Sequence, residues 1–463
     1  MAQGRAIFLS GNLFRHVSVM SLTSSVGLVA VFFVDFVDIL FISMLGQAEL
    51  AAAVGYAGAI LFFTTSFGIG MSISAGALVS RALGRGDADL ARSRSTHALI
   101  YGVVFGAVFA AVVWGNLGRL VALLGATGET ATLAVHYLAI VVPMLPMLVV
   151  GMVGGAILRA HGDARRAMYA TILGGVVNAV LDPILIFGLS LDLTGAALAS
   201  VAARMTIGVT AILLILRHHG GFSRPTPAGL MHDLPPVLTI AVPAILTQLA
   251  TPIGQAYVTR AMADFGEAAV AGMAIVSRLT PLSFGVIFAL SGAVGPIIGQ
   301  NAGAGRDDRV RGAFHAGLSF AGLYVLGVAA LLFALRAPLA DMFSATGVTR
   351  DLVFLFCGPL ALLYVFNGAL FVANAAFNNL GRPFYSTWLN WGRHTLGTIP
   401  LVMLGAGLWG APGVLIGQYA GGIIFGTLAS LLALRVMAHP GPTDTRPPFS
   451  PQARWLRLFN ARR

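Results

Sequence analysis

The sequence contains no lysine: all 28 basic residues are arginine. It has a single cysteine, Cys357, and only 10% of its residues are charged, against about 25% in a soluble domain. Each shortage excludes something. Without lysine there is no phosphate-binding Gly-Lys-Ser/Thr loop, and no paired-histidine helix motif for zinc is visible among the ten scattered histidines. One cysteine excludes an intrachain disulfide and a cysteine-cluster metal site. Cys357 lies in an apolar run and reads as a small buried hydrophobe. The opening residues show no short apolar core followed by a small-residue cleavage site, so the first span is expected to act as its own insertion signal. A net charge of +11 can point to nucleic acid, but here the arginines sit in short loops between apolar runs. Membrane topology accounts for them, and no nucleic-acid partner is expected.

What is present is apolar sequence. Of 463 residues 57% are hydrophobic, and the mean hydropathy is +0.87. The chain reads as an all-α polytopic membrane protein with almost no soluble part. Twelve spans are expected, at 16–45, 50–79, 94–116, 131–158, 168–189 and 194–217, then 235–263, 268–300, 312–335, 351–379, 385–405 and 410–437. These runs are too long for barrel strands and read as helices. With the N-terminus inside, 21 arginines fall in inner segments and 3 in outer loops. That ratio predicts cytoplasmic termini, and an odd number of spans would destroy the alternation.

The chain repeats. Gly84 pairs with Gly303, Thr127 with Thr346 and Gly162 with Gly381, each 219 residues apart; Gly46 pairs with Gly266 at 220. Two six-helix lobes of equal topology follow, at 1–217 and 235–437. They are related by a pseudo-two-fold along the membrane normal, with the substrate path between them. A linker is expected at 218–234, rich in Gly, Pro and charge, and a basic, Pro-rich cytoplasmic tail at 438–463 that reads as mostly disordered, its closing WLRLFNARR a candidate to rest on anionic lipid.

The run VFFVDFVDILFISMLG carries two carboxylates, Asp35 and Asp38, three residues apart on nearly one helix face. Acids within a span are costly and usually functional; hydration at an outer mouth is the plain alternative. The fifth span, GGVVNAVLDPILIFG, holds Asn178 and Asp182 four apart, and Pro183 cannot donate to the carbonyl of Ala179, which loosens that turn. Ser200 on the sixth span adds a hydroxyl. The equivalent positions in the second half are Gln255, Val258, Gly397 and Leu401, so the carboxylates belong to one lobe. Burial disfavours a charged carboxylate and neighbouring carboxylates titrate together, so acids within these spans can carry a proton near neutral pH. Arg204 reads as a partner for a carboxylate or for carbonyls. Gln248, Gln255, Arg278, Asn374 and Arg393, with His394 and Asn378, are candidates to line a wet cavity, although polar groups in a bundle are often helix-to-helix glue. Met144, Met147 and Met152 with Phe62, Phe63 and Phe67 are candidates for a broad apolar pocket.

Six-plus-six spans, VDILFISMLG closing the first, LRAHGDARRAMY after the fourth, and NAVLDPILIFG with GAALAS following resemble the multidrug and toxic compound extrusion (MATE) family. The resemblance covers about 14–437 and is closest to the DinF-like branch. It implies cation-coupled antiport that exports amphipathic, often cationic, organic compounds, with coupling residues at Asp38, Asn178, Asp182 and Ser200. Two departures stand out. An Asn that relatives often carry late in the fourth span is replaced by Gly154 and Gly155, and a proline that bends the first span in some relatives is absent, leaving Gly27 and Thr23-Ser24-Ser25 as candidate hinges.

The expected protein is therefore a monomeric exporter of the inner membrane that works by alternating access, with small organic molecules and membrane lipid as partners and no cofactor. Proton coupling is favoured. Sodium at Asp38, Asn178 and Asp182 is the alternative, and no firm metal site is expected. A lipid-linked or polysaccharide flippase of the same superfamily is the rival function. An embedded enzyme would need a nucleophile or metal constellation that the sequence lacks.

Overall fold

In the computed structural model the chain is described over residues 6–45 and 47–438, without the side chains of Asp35, Phe36, Ile39, Ser43 and Ala48. The tail expected at 438–463 lies outside the described residues beyond Ala438. Apolar segments in hydrocarbon must satisfy their backbone internally, and the fold is accordingly helical. The first half holds α1 (Leu13–Ser43), α2 (Ala48–Gly84), α3 (Ala88–Trp114), a short α4 (Leu117–Leu123), α5 (Gly128–Val141), α6 (Leu145–Ala160), α7 (Ala164–Pro183) and α8 (Asp192–His218). The second holds α9 (Pro227–Ala263), α10 (Glu267–Gly303), α11 (Asp307–Met342), α12 (Gly347–Leu355), a three-residue α13 (Ala361–Leu363), α14 (Val365–Asn379), α15 (Phe384–His394), α16 (Ile399–Trp409) and α17 (Ala411–Ala438). The non-helical connection between halves is 219–226, since α9 already begins at Pro227.

Among the described residues ten segments are long and apolar enough to cross a membrane, and Gly347–Leu363 with Val365–Asn379, bent by 43°, supplies an eleventh. The stretch expected as one span at 385–405 is instead two short helices, α15 and α16, separated at Thr395–Thr398. Gly397 and Pro400 interrupt it. The broken segment is held by α17, whose Gly413, Gly417 and Gly421, spaced by four, lie against the backbone of Gly405, Leu401 and Gly397. The span expected at 131–158 is likewise divided, by a 3₁₀ turn at Val142–Met144 that contains Pro143.

The repeat is visible in the loops. Gly86 and Gly305 (φ +76° and +67°), Gly162 and Gly381 (+80° and +74°), and Gly128 and Gly347 (+59° and +52°) are left-handed glycines at the same 219-residue interval. A side chain is strained at each of these positions. At the same Arg-rich end, Asn12, Asp87, Asp163 and Thr226 cap helices by accepting from the backbone N–H of Arg15, Leu90, Arg166 and Gly229.

Each lobe has its own core, but the first helix of each half crosses over. Val17 and Met20 of α1 are buried in the core of the second lobe. Val237 and Ile240 of α9, 220 residues on, are buried in the core of the first. The lobes are thus exchanged along their first helices at the Arg-rich end. Hydrogen bonds between lobes cluster there too. The Gln300 side chain accepts from Phe8 N (3.0 Å) and donates to the carbonyl of Ala160 (2.8 Å). Arg309 donates to the carbonyls of Phe8, Ser10 and Gly11 at 2.9–3.2 Å. Buried His97 meets Asp233 at 2.7 Å. Gly84 packs on the backbone of Gln300 and Gly303 on that of Arg81, and 81 and 300 are themselves a repeat pair. The interface is closed at this end by a symmetric crossing of α2 and α10.

Candidate functional site

The proline at 183 leaves α7 without one backbone donor, and the chain relaxes into a π-helical turn at Ile184–Gly188 closed by Leu189 N to the carbonyl of Ile184 at 2.9 Å. Asp182 stands at the entrance to that turn, with Asn178 one turn earlier on the same face. Both are buried, Asp182 at 0% exposure and Asn178 at 4%. Neither oxygen of Asp182 and not the Asn178 Nδ2 has a hydrogen-bond partner among the described residues. A buried carboxylate left unsatisfied is costly, so the site is suited to a proton or a cation.

Helix α1 brings Asp38 to this point. It packs along α7, where Gly175 faces Val34 (3.2 Å from the position of a Cβ) and Gly27 faces Met168 and Thr171. These glycines let the two backbones approach until the Asp38 carboxyl reaches Asp182. The third wall comes from α5 and α8. The Tyr137 hydroxyl lies beside Ser200 and within electrostatic reach of Arg204, Asp38 and Asp182. Arg204 also donates to the carbonyl of Val141 at 3.2 Å, where the proline-bearing turn leaves an acceptor. Two carboxyls, an amide, two hydroxyls and a guanidinium therefore converge from four helices. Asp35 is on α1, but its side chain lies outside the described residues.

Of the sequence candidates, Asp38, Asn178, Asp182 and Ser200 come together. Tyr137 was not anticipated, and its only signal was a phenol in an apolar span. The hinge candidates on α1 show no break, since the helix is continuous from Leu13 to Ser43. Phe67 contacts Phe109 (5.4 Å between centroids), Met152 fills the space at Gly68 and Met147 that at Gly208, so these belong to first-lobe packing.

In the second lobe two amides are engaged in pairs: Gln418 donates to Gln255 (2.6 Å) and Asn390 to Asn374 (3.2 Å). Gln248 is half-buried and Arg278 exposed. Arg393 is half-buried near the Tyr364 and Tyr419 hydroxyls, and His394 meets Thr251 at 3.4 Å. None of these five candidates is among the residues that line the cavity between the lobes. That cavity, of about 70 Å³, is lined in part by Arg159, Asn378, Ser72 and Ser291.

Among the described residues, a two-lobed bundle of long apolar helices with the Asp38 and Asp182 carboxyls brought together in the first lobe has the architecture of a membrane transporter. The MatE family model matches residues 24–184 and 243–404, and the chain belongs to that family. It is 28% identical to the FAD transporter of Shewanella oneidensis over 441 residues, covering 92% of this chain and 96% of that protein. It is 26% identical to multidrug export protein MepA of Staphylococcus haemolyticus over 300 residues, covering 64% of this chain and 66% of that one. Among solved structures it resembles the MATE transporter VcmN of Vibrio cholerae (TM-score 0.87, 23% identity, 92% of this chain and 97% of that one). It also resembles a transporter of the wider superfamily from Pyrococcus furiosus (0.86, 22%, 94% and 98%).

Proposed function

We propose that the protein is a proton-coupled exporter of amphipathic organic compounds, cations among them, that works in the cell's inner membrane by alternating access. The observation that carries this reading is the pair Asp38 and Asp182, with Asp182 buried and unsatisfied. A proton taken up by the pair removes charge from a poorly hydrated site and gives one carboxyl a donor to share with the other. Asn178 orients the pair, and the Tyr137–Ser200 hydroxyls complete the hydrogen bonding. Protonation lets α1 repack on α7. Because α1 is buried in the first lobe near Ile42 and in the second at Val17 and Met20, a change at Asp38 reaches both lobes along one helix. A cationic compound favours the ionised pair, so it competes with the proton, which is what antiport requires.

A second reading of the substrate is supported by the relative whose name is FAD transporter and by the absence of spanning carboxylates in the second lobe, where Arg278 and Arg393 stand instead. On that reading organic anions, flavin nucleotides among them, are exported. Proteoliposomes loaded with a fluorescent cation or with a flavin nucleotide test both, under an imposed pH or sodium gradient. Proton coupling predicts efflux with the pH gradient alone. Efflux that required sodium would assign Asp38, Asn178 and Asp182 to a sodium site, and no efflux of any compound in a broad panel would favour the flippase.

A further inference from the structure

The cavity between the lobes lies on the pseudo-two-fold axis. Its walls are repeat pairs: Ser72 with Ser291, Gly76 with Gly295, Ala156 with Ala375, each separated by 219 residues. One pair breaks the symmetry in charge, Arg159 with Asn378. Ser72 is 12 residues from the end of α2, about 18 Å along the helix at 1.5 Å per residue, so the cavity sits above the closed Arg-rich end.

Arg159 occupies the last turn of α6, where sequence alone counts it as a loop cation. The helix instead turns it inward. Its guanidinium stands 3.4 Å from where a Cβ on Gly155 would be and 3.8 Å from that on Gly292 of the other lobe. Among the described residues Arg159 has no ion pair, and no carboxylate lines the cavity. The Oδ1 atoms of Asn378 and Asn379 are buried without hydrogen-bond partners among the described residues. Asn379 is fixed by donating to the carbonyl of Ala375 (2.9 Å); the Asn378 amide can turn its nitrogen to the cavity. The cavity is not sealed, for Gly292 is exposed and Ser291 and Arg159 are half-exposed.

A half-buried cation without a counter-charge is unfavourable, and among the described residues the protein supplies none here. We propose that this axial cavity is an anion subsite, in which Arg159, assisted by Asn378 and the Ser72 and Ser291 hydroxyls, receives the phosphate or carboxylate of a transported compound. The cavity, of about 70 Å³, admits such a group, and the apolar body of the substrate extends into the cleft beyond it. Since both lobes form the walls, a bound anion favours the arrangement closed at the Arg-rich end. The subsite rests on the reading of the interlobe space as the transport path and assigns the end of the substrate that enters first.

The test is binding by purified wild-type protein, followed by thermal midpoint at constant ionic strength. Inorganic phosphate should raise the midpoint saturably, and AMP should bind at least tenfold tighter than adenosine. Arg159→Gln should weaken both responses about tenfold, with partial recovery in Arg159→Lys. Should Arg159→Gln fail to fold, Asn378→Leu gives the same direction with the cation in place. Absence of any saturable response to phosphate or AMP in wild type overturns the proposal. Phosphate binding without an advantage of AMP over adenosine also overturns it, leaving a site for a free inorganic ion. Proton-driven efflux by the wild type of a dye that lacks an anionic group reports on the transport reading separately.

Discussion

Replacing Gly84 by alanine adds one methyl group at the crossing of α2 and α10. That carbon would stand 2.7 Å from the carbonyl carbon of Gln300 and 2.8 Å from its Cα, closer still to the carbonyl oxygen. Ordinary carbon contacts are about 3.5–4.0 Å. The obstacle is backbone, which cannot rotate away as a side chain does. Overpacking of a tight contact costs about 1–3 kcal/mol, and each 1.4 kcal/mol is a factor of ten. The arrangement closed at the Arg-rich end should therefore lose about 5- to 150-fold in population against the one open there. Gly303→Ala should act alike, because Gly303 meets Arg81 as Gly84 meets Gln300. Spin labels at Arg165 and Asp308, exposed positions on opposite lobes at this end, report the separation. The native Cys357 is fully buried and does not compete for label. Gly58→Ala is the control: it lies on the same helix, nothing is within 4 Å of its added carbon, and it shares the gain in helix propensity. Longer distances in Gly84→Ala alone are expected. Identical distributions in both variants would refute the idea that this glycine crossing sets the closed state.

Two further outcomes follow from the ends of the bundle. His161, stacked on His219 (4.6 Å) in the α6–α7 turn, is pulled down to about 4 by burial and by that second imidazole. From about pH 6.5 down to 4 the unfolded chain then takes up a proton that the folded one does not, so thermal stability in detergent should fall from pH 7 to pH 5. His161→Phe keeps a ring and should flatten that fall; an unchanged slope would remove His161 as its cause. Asp163 opposes its own burial through hydrogen bonds from His219 and Arg166 and sits near 2, so its contribution is lost only below about pH 4. The Arg distribution predicts that a reporter inserted at Gly410, in the α16–α17 turn, is external, whereas one fused after Ala438 is cytoplasmic; both on one side would contradict the topology.

Much of this was legible because membranes restrict what a chain can do. Apolar length gave the helices, and the repeat showed in pairs such as Gly162 and Gly381, both in left-handed turns that glycine adopts without strain. The acids of the first lobe stood out because a carboxylate in a span is rare. What stayed hidden depends on where helices point. Arg159 ends a span and reads as a loop residue; only the packing of α6 against Gly292 turns it to the axis. The exchange of α1 and α9 between lobes leaves no mark, since Val17 and Val237 are apolar in either core. The break at Thr395–Thr398 was averaged away within a long apolar window, although Gly397 and Pro400 marked it. Tyr137 was invisible because aromatic residues are common in spans, and its partners lie on other helices.

The central claim is that Asp38 carries the coupling proton, with Asp182 as its partner. The most direct measurement is efflux by purified Asp38→Asn in proteoliposomes under an imposed pH gradient. Asparagine keeps the shape of the protonated acid and cannot release a proton. The variant should reconstitute like wild type, with binding of a cationic compound weakened, as in the protonated state, and gradient-driven efflux abolished; Asp182→Asn should lose most of it and Asp35→Asn less. Pumping by Asp38→Asn at the wild-type rate would contradict the account.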